Sequence, residues 1–278
     1  MHMDIRLVGL DLDGTVFTDQ KTITPVTRAT IARAIERGVA VLPVTGRPRS
    51  GLPEEILAIP GIRYAITSNG AMCEDVVENR VLVRLAMEET VALRALRIAE
   101  KYDAVVDLYV DGQAYTDTRN MTRLDTHVPE SFRPYFLKTR KLVEDIRQVL
   151  CSQGRGAEKL NLLFADMAQR AGAWREFEQT GLFELSGGIP TNIELNAKGV
   201  DKGRVLLALA ERLGFSREQT MACGDASNDL AMLRAAGLGV AMGNAIPEAV
   251  AAADVQTDTN NHDGVAKAIV RWVLGEEG

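Results

Sequence analysis

Residues 5–15 read IRLVGLDLDGT, an apolar run that ends in two aspartates and a glycine. A short run of this kind is typical of a strand buried on both faces of a parallel sheet. Asp11 and Asp13 then follow the carboxyl end of that strand, and Gly14 allows the chain to turn sharply after them. Because ligands of open α/β sheets bind outside the carboxyl ends of the strands, this stretch predicts both the class of fold and the location of a site.

The alternation of strand and helix that begins at this strand continues to about residue 70 and returns near residue 200. It implies parallel strands joined by right-handed crossovers. The predicted elements are a helix from Pro25 to Gly38, strands at 39–44 and 64–67 with a helix at 54–59 between them, and then helices at 201–213, 228–236, 247–252 and 265–274 with strands at 220–223 and 239–241.

The segment between these two parts differs in composition. It holds most of the aromatic residues of the chain, and strand-like runs at 104–110 and 160–165 alternate there with helical patterns at 89–101 and 167–180. A mixture of this kind is typical of an α+β domain, whereas the flanking parts are typical of an α/β domain.

We therefore predict an α/β core formed by residues 1–83 and 191–278, with an α+β domain inserted at residues 84–190. One continuous α/β domain is the alternative interpretation of the same pattern.

Composition limits the classes of partner. The chain has 278 residues, a formal net charge of −6 and 46% hydrophobic residues, which excludes a disordered chain and allows a substantial core. Every apolar stretch is much shorter than a membrane helix, which needs about 20 residues. The acidic net charge argues against nucleic acid and anionic membranes as partners. The three cysteines are too few and too scattered for a disulfide framework. We expect a cytoplasmic protein.

Two carboxylates in the turn after a strand can hold a hard cation. Alternatively, one can attack an electrophile while the other moves protons. Taken alone, such a motif is more often explained by acids that merely cap the next helix or lie in solvent. A calcium-binding EF-hand loop is excluded, because its sixth and twelfth positions require Gly and Glu and are Val16 and Thr22.

Polar clusters also follow the other predicted strands. Thr45 offers a hydroxyl and a backbone N–H, and Gly46 permits close approach of a phosphate oxygen. Residues 68–70 (SNG) follow the third strand, and residues 224–229 (GDASND) follow the fourth and open a helix. A helix N-terminus favours an anion, so two aspartates there indicate that a cation is present.

Lys202 stands in the first turn of a predicted helix, where its charge opposes the helix dipole. A solvated surface lysine tolerates that cost, so the position alone does not distinguish the two explanations. Beside a carboxylate cluster, the lysine is better explained as an anchor for a nucleophile and for phosphoryl oxygens. Asp201, which precedes it, is a typical N-cap residue.

In this order, residues 11–15 (DLDGT), 45–48 (TGRP), 202–203 (KG) and 224–229 (GDASND) resemble the motifs of the haloacid dehalogenase superfamily of phosphohydrolases. The resemblance covers the whole chain. It implies a Rossmann-like parallel-sheet core.

Further stretches are similar to the Cof-type branch of that superfamily, subclass IIB. They are residues 68–71 (SNGA), 199–203 (GVDKG) and 239–245 (GVAMGNA). The branch carries a large α+β cap of the C2B type between its second and third motifs, which is where the aromatic-rich segment lies. The resemblance implies that this cap selects the substrate, and Asp117, Arg119, Arg155 and Asn192 are candidate residues for that selection.

The resemblance also implies catalytic roles. Asp11 would be the nucleophile that forms an aspartyl-phosphate, and Asp13 would protonate the leaving alcohol and then activate water. Thr45 and Lys202 would hold the phosphoryl oxygens, with Gly46 in the same substrate-binding turn.

The implied cofactor is Mg²⁺. Asp11, the backbone carbonyl of Asp13 and Asp225 would bind it, and Asp229 would support the metal or its waters. Asn228 would contact the phosphate of the substrate.

Asp13 also separates branches of the superfamily, because dehalogenases lack an acid at this position and transport ATPases have Thr. The resemblance therefore implies a Mg²⁺-dependent phosphatase of small phosphate esters, with sugar phosphates as the expected class, acting as a monomer or weak homodimer. A phosphomutase is the alternative, although mutases of this superfamily usually have a small helical cap. A non-catalytic phosphate-ester sensor is a further alternative, which the complete set of catalytic residues disfavours. A dinucleotide-binding protein is excluded, because residues 237–243 (GLGVAMG) have the wrong spacing and precede a strand.

Overall fold

The computed structural model describes residues 4–276 of the chain. These residues divide into two compact units. The core unit comprises the chain up to Gly46, Leu52–Val83 and the chain from Asp201 onward, and the inserted unit comprises Arg47–Gly51 and Arg84–Val200.

The first part of the core unit starts the parallel sheet. Its first helix begins where Thr24 caps the N–H of Thr27 at 3.0 Å and Pro25 occupies the first turn. The elements are β1 (Leu7–Leu10), α1 (Pro25–Glu36), β2 (Ala40–Pro43), α2 (Glu54–Leu57), β3 (Tyr64–Thr67), β4 (Met72–Asp75) and β5 (Arg80–Arg84).

The inserted unit is built on a six-stranded sheet with the strand order β10-β11-β9-β6-β7-β8. One face of this sheet packs into an apolar core through residues such as Leu108, Leu162 and Leu195. Its elements are α3 (Glu89–Ala99), β6 (Ala104–Val110), β7 (Gln113–Asp117), α4 (Leu124–His127), α5 (Arg133–Thr139), β8 (Arg140–Val143), α6 (Ile146–Gln153), β9 (Lys159–Phe164), α7 (Met167–Thr180), β10 (Phe183–Ser186) and β11 (Asn192–Ala197).

The last part of the chain completes the core unit. Its strands join β1 and β2 in a five-stranded sheet of order β14-β13-β12-β1-β2, in which all pairings are parallel. The elements are α8 (Lys202–Arg212), β12 (Thr220–Gly224), α9 (Leu230–Ala235), β13 (Leu238–Ala241), α10 (Pro247–Ala252), β14 (Val255–Gln256) and α11 (Gly264–Ala268), which continues as a π-helical stretch over Ile269–Leu274.

The predicted fold class, a parallel-sheet core with an inserted α+β domain, is confirmed. One strand differs from the expected parallel arrangement. β3 joins the main sheet only through a parallel bridge between Val44 and Ile66, and it pairs antiparallel with β4, a strand that the sequence pattern did not predict.

The end of the inserted unit differs from the expected limit at residue 190. β11 pairs antiparallel with β9 and with β10, so this strand belongs to the inserted sheet and the unit extends to Val200. The short segment Arg47–Gly51 belongs to the inserted unit as well. Strand pairing between distant residues decides where the unit ends, and no local pattern encodes that pairing.

Within residues 4–276, no helix combines the length and apolar character needed to cross a membrane.

Candidate active site

The candidate site lies at the carboxyl edge of the core sheet. β1 and β12 run parallel with Leu10 paired to Cys223, so the residues that follow these two strands are neighbours. The N–H of Asp11 continues the ladder by donating to the carbonyl of Cys223 at 3.0 Å. This register brings Asp11 and Asp225 together, as the position of both motifs after a strand predicts.

The turn after Asp11 is shaped around Asp225. Gly14 has φ +88°, and a Cβ at this position would lie 2.3 Å from Oδ2 of Asp225. The Thr15 hydroxyl donates to Oδ1 of Asp225 at 2.8 Å, and the side-chain amide of Asn244 donates to the carbonyl of Gly14 at 2.8 Å. Only glycine permits both the backbone conformation and the close approach of the carboxylate.

Lys202 is completely buried at the centre of the site. Its Nζ donates to Oδ1 of Asp11 at 2.6 Å and to Oδ1 of Asp229 at 2.7 Å. The second oxygen of Asp229 accepts the backbone N–H groups of Asp225 and Ala226, each at 3.0 Å. Asp229 therefore orients both the lysine and the backbone that carries Asp225.

Three carboxylates, which we call the carboxylate triad, each place one oxygen within 4.8 Å of the others: Asp11, Asp225 and Asp229. Burial and the neighbouring carboxylates outweigh Lys202 and hold the pKa of Asp11 well above its ordinary value. Burial and Asp229 also raise the pKa of Asp225 to about 7. Burial opposes the charge of Lys202, but Asp11 and Asp229 outweigh it and raise the pKa of its ammonium.

One buried ammonium does not balance the buried carboxylates of Asp11 and Asp229 together with the half-buried carboxylate of Asp225, so the site favours an additional cation. Carboxylate oxygens are the ligands that hard divalent cations prefer. The carboxylate triad can therefore hold a metal ion, and the donor set fits Mg²⁺.

Thr45 follows β2 and is buried next to residues Ser68–Gly70, which we call the SNG loop. Its N–H donates to the carbonyl of Ile66 at 2.9 Å, and its own carbonyl accepts the N–H of Asn69 at 3.1 Å. The expectation that this N–H is offered to a phosphate is therefore wrong, because the bridge to β3 uses it. The hydroxyl is the remaining candidate donor of Thr45, and the turn continues directly into Gly46.

The SNG loop adds a residue that the candidate set did not include. Ser68, Asn69 and Gly70 all have positive φ, at 52°, 58° and 99°, which is strained backbone for the first two. A Cβ on Gly70 would lie 2.4 Å from the carbonyl oxygen of Asp201, so the loop packs against the start of α8. Asn228 donates to Oδ1 of Asn69 at 3.2 Å. The feature that marks Asn69 as a candidate site residue is its burial in strained backbone, and this feature is visible only in the structure.

Asp13 lies outside the carboxylate triad although it belongs to the same turn. Its side chain is 40% exposed and accepts a hydrogen bond from Nζ of Lys21 at 2.9 Å. An exposed ion pair contributes only about 0–1 kcal/mol, so the pair leaves the Asp13 carboxyl able to turn toward a ligand. Lys21 was not among the predicted site residues.

The candidate selectivity residues lie in the inserted unit and do not form one cluster. Asp117 ion-pairs with Arg119 at 2.8 Å at the end of β7. Asn192 lies in β11 and donates to Oδ1 of Asn161 at 2.8 Å, and Arg155 pairs with an aspartate of the turn between β6 and β7. The ion pairs and hydrogen bonds within the inserted unit account for where these side chains lie.

Comparison with known proteins places the whole chain in one group. A family model described as haloacid dehalogenase-like hydrolase matches residues 8–269. The chain is 33% identical over 279 residues to the 5-amino-6-(5-phospho-D-ribitylamino)uracil phosphatase YcsE of Bacillus subtilis, covering 98% of this chain and 97% of that protein. It is 30% identical over 277 residues to the pyridoxal phosphate phosphatase YbhA of Escherichia coli, covering 98% of this chain and all of that protein.

The solved structures agree on the fold. A haloacid dehalogenase-like hydrolase from B. subtilis superposes with a TM-score of 0.86 at 24% identity, covering 96% of this chain and 99% of that one. At this identity the likeness concerns the fold alone.

Proposed function

We propose that this chain, a member of the haloacid dehalogenase-like hydrolases of the Cof type and a phosphatase of small phosphorylated metabolites, uses Mg²⁺ and forms an aspartyl-phosphate on Asp11. The observation that carries the proposal is the completely buried Lys202, which bonds Asp11 and Asp229 at 2.6 and 2.7 Å. An ammonium in this place both orients a carboxylate nucleophile and offsets the charge of an arriving phosphate.

The carboxylate triad and the backbone carbonyl of Asp13 would hold Mg²⁺, which supplies positive charge for the phosphoryl oxygens. Without such compensation, the carboxylate of Asp11 would repel a phosphate dianion. Lys202 contributes the same compensation from the protein side, and the Thr45 hydroxyl would donate to a phosphoryl oxygen.

The reaction proceeds in two steps, transfer of the phosphoryl group to Asp11 and hydrolysis of the aspartyl-phosphate. A carboxylate oxygen of Asp11 attacks phosphorus, the bond from phosphorus to the ester oxygen breaks, and Asp13 gives its proton to the departing alkoxide. Asp13, now ionised, removes a proton from water, and this water attacks the aspartyl-phosphate. Inorganic phosphate leaves, Asp11 is regenerated and Asp13 holds the proton again.

The placement of Asp13 supports this dual role. Its carboxyl is partly exposed and lies two residues after the nucleophile, whereas the carboxylate triad is engaged with Lys202 and with backbone donors. A group that both gives and takes a proton must reach the leaving group first and the incoming water second.

Within the small phosphate esters, we propose sugar phosphates as the substrate class. The aligned relatives are named for a phosphoribitylamino uracil and for pyridoxal phosphate, so both esters belong in the same substrate panel.

The test is the release of inorganic phosphate from this panel, with Mg²⁺ and after EDTA treatment. Asp11→Asn is compared with Asp4→Asn, which makes the same chemical change at a surface carboxylate paired with Arg6. We expect D11N and EDTA to lower the rate by at least about 10³-fold, and D4N to leave it unchanged. A radiolabelled substrate quenched in acid should leave hydroxylamine-labile label on the wild type and none on D11N.

Phosphate release that survives both EDTA and D11N would overturn the proposal. Interconversion of isomeric sugar phosphates without release would instead indicate a mutase. Binding of an ester without any reaction would indicate a sensor.

A further inference from the structure

The proposed acid–base residue, Asp13, begins a turn formed by residues 13–17, which we call the acid turn. The N–H of Phe17 donates back to the carbonyl of Leu12 at 2.9 Å, which closes the acid turn on its inner side. Gly14 comes directly after Asp13 with φ +88°, and a glycine has no Cβ to restrict rotation at this point. The position of the Asp13 carboxyl therefore also depends on what holds the carbonyls of Gly14 and Phe17.

Asn244 holds the carbonyl of Gly14. It lies in the loop that follows β13, and its Nδ2 donates to that carbonyl at 2.8 Å. Its Oδ1 accepts the backbone N–H of Asn260 at 2.9 Å. One partner is an acceptor and the other is a donor, so the orientation of this side-chain amide is defined. Asn244 therefore links the acid turn to the chain segment that carries Asn260.

Asn260 holds the other end of the acid turn. It begins the short helical turn before α11, and only 6% of its surface is exposed. Its Nδ2 donates to the carbonyl of Phe17 at 3.0 Å and to Oδ1 of Asp19 at 3.1 Å. A carbonyl and a carboxylate can only accept hydrogen bonds, so both contacts require the N–H groups of a side-chain amide. An asparagine at this position is thus matched to its partners.

Close backbone packing within the core unit fixes both asparagines. The N–H of Gly243 donates to the carbonyl of Asp258 at 3.0 Å, and a Cβ on Gly243 would lie 2.8 Å from the backbone nitrogen of Thr259. The N–H of Gly264 donates to the carbonyl of Thr259 at 3.0 Å. The loop after β13 and the segment before α11 therefore pack backbone against backbone, and the two side chains reach the acid turn from a well-held position.

We propose that Asn244 and Asn260 are positioning residues of the phosphatase reaction: they hold the acid turn by two of its carbonyls and so keep the carboxyl of Asp13 where the leaving group and the incoming water need it. This inference rests on the proposed function. In this role neither asparagine needs to touch the reacting atoms, because each acts through Asp13. A displacement of about 1 Å at a reacting group can cost about 10²-fold in rate, so loosening the acid turn should lower kcat.

The first test compares two leaving groups at saturating Mg²⁺. An alkoxide needs the proton of Asp13, whereas the phenolate of p-nitrophenyl phosphate is a stable anion and leaves without it. Asn260→Ala should therefore release the first equivalent of phenolate within about twofold of the wild-type rate. Attack of water on the aspartyl-phosphate still needs Asp13, so the following steady-state rate should fall about tenfold. With the alkyl phosphate that the wild type hydrolyses fastest, the first step itself should slow about tenfold.

A second variant tests the other contact. Asn244→Ala removes an exposed hydrogen bond to the acid turn and should lower kcat about threefold, with the same dependence on the leaving group. Asn261→Ala is the matched control, since the side chain of this neighbouring asparagine donates to Asp19 at 2.9 Å, and it should keep the wild-type kcat. Thermal unfolding and the Mg²⁺-induced shift in Tm verify that each variant folds and binds the metal.

A double-variant experiment shows whether the asparagines act through Asp13. In an Asp13→Asn background, N260A and N244A should each change the rate of hydrolysis of the aspartyl-phosphate by less than about twofold, because the carboxyl that they position is gone. A purely structural role for the asparagines would instead multiply with the effect of D13N.

The outcomes separate this inference from the proposed function. If the wild type has no activity that depends on Asp11, the proposed function fails, and this inference fails with it. If the wild type is active and N260A slows the first release of phenolate as much as the steady state, or if its effect multiplies with that of D13N, the positioning role is wrong. Should N260A not fold, N244A alone and in combination with D13N still decides the question.

Discussion

Buried charges occur in both units, and their balance differs. In the inserted unit, two buried ion pairs are one-to-one, Arg140 with Asp107 at 2.9 Å and Lys159 with Glu194 at 2.5 Å. In the core unit, one ammonium, that of Lys202, is shared by Asp11 and Asp229, and Asp225 adds a third carboxylate. A balanced buried pair approaches neutrality with its own partners, whereas an unbalanced cluster is complete only with an additional cation. The comparison teaches that an excess of buried charge, rather than buried charge itself, marks the chemical site.

The largest expected effect is the removal of the single cation in the core cluster. Lys202→Met would leave carboxylates without their shared donor, so the nucleophile is neither oriented nor offset in charge. We expect kcat to fall by at least about 10³-fold in steady-state phosphate release.

The matched control for this change is Lys267→Met, which removes an exposed lysine paired with Asp258 in the same unit. It should leave kcat unchanged. A K202M enzyme with more than a tenth of wild-type kcat would contradict the role of the charge imbalance.

A smaller effect is expected from breaking a balanced pair. Arg140→Met leaves Asp107 as an unpaired buried carboxylate and should lower the free energy of unfolding by about 3–5 kcal/mol, measured by urea denaturation. Removing both charges with Arg140→Met and Asp107→Leu should recover much of this loss, since a buried pair is often replaceable by apolar groups.

Neither change should abolish the Mg²⁺-induced rise in Tm, because the metal ligands belong to the core unit. If R140M removed that rise while the protein remained folded, the distinction between the two kinds of cluster would fail.

The smallest expected effect concerns pH and metal binding. The pKa of Asp225 is raised to about 7 from an ordinary value of 3.8. Between these values the folded state holds a proton that the unfolded state has lost, so the metal-free protein loses stability as pH rises toward about 7. Mg²⁺ binds the ionised carboxylate, and its affinity should be about tenfold weaker at pH 6 than at pH 8.

Differential scanning fluorimetry at the two pH values measures this as a larger Mg²⁺-induced shift in Tm at pH 8. Asp225→Asn should remove both the shift and its pH dependence. Asp258→Asn, at an exposed carboxylate, should keep them. Equal shifts at pH 6 and pH 8 in the wild type would show that protons do not compete for this site.

Much of the fold was predictable because it depends on local patterns. The apolar run before Asp11 identifies β1, the repeated alternation of strand and helix identifies a parallel sheet, and the aromatic-rich segment identifies an inserted domain. The end of the inserted unit was not predictable to the residue, because the place of β11 depends on pairing with β9 rather than on its own composition.

The candidate site divides in the same way. Asp11, Asp225 and Lys202 are predictable, since a residue that follows a strand or starts a helix has a known place at the edge of the sheet. The partners of those residues are not. Lys21 beside Asp13, the left-handed Asn69 and the contact of Arg47 with Tyr135 all depend on chain segments that approach only in the folded state.

By itself, the sequence therefore determined the class of fold, the family and the residue types of the site, because spacing and polarity along the chain encode them. Only the tertiary structure decided that Lys202 is completely buried between two carboxylates, that the Thr45 N–H is used by β3, and that the guanidinium of Arg47 lies over the ring of Tyr135. The physical reason is that burial and charge balance are properties of the packed chain, set by residues far apart in sequence.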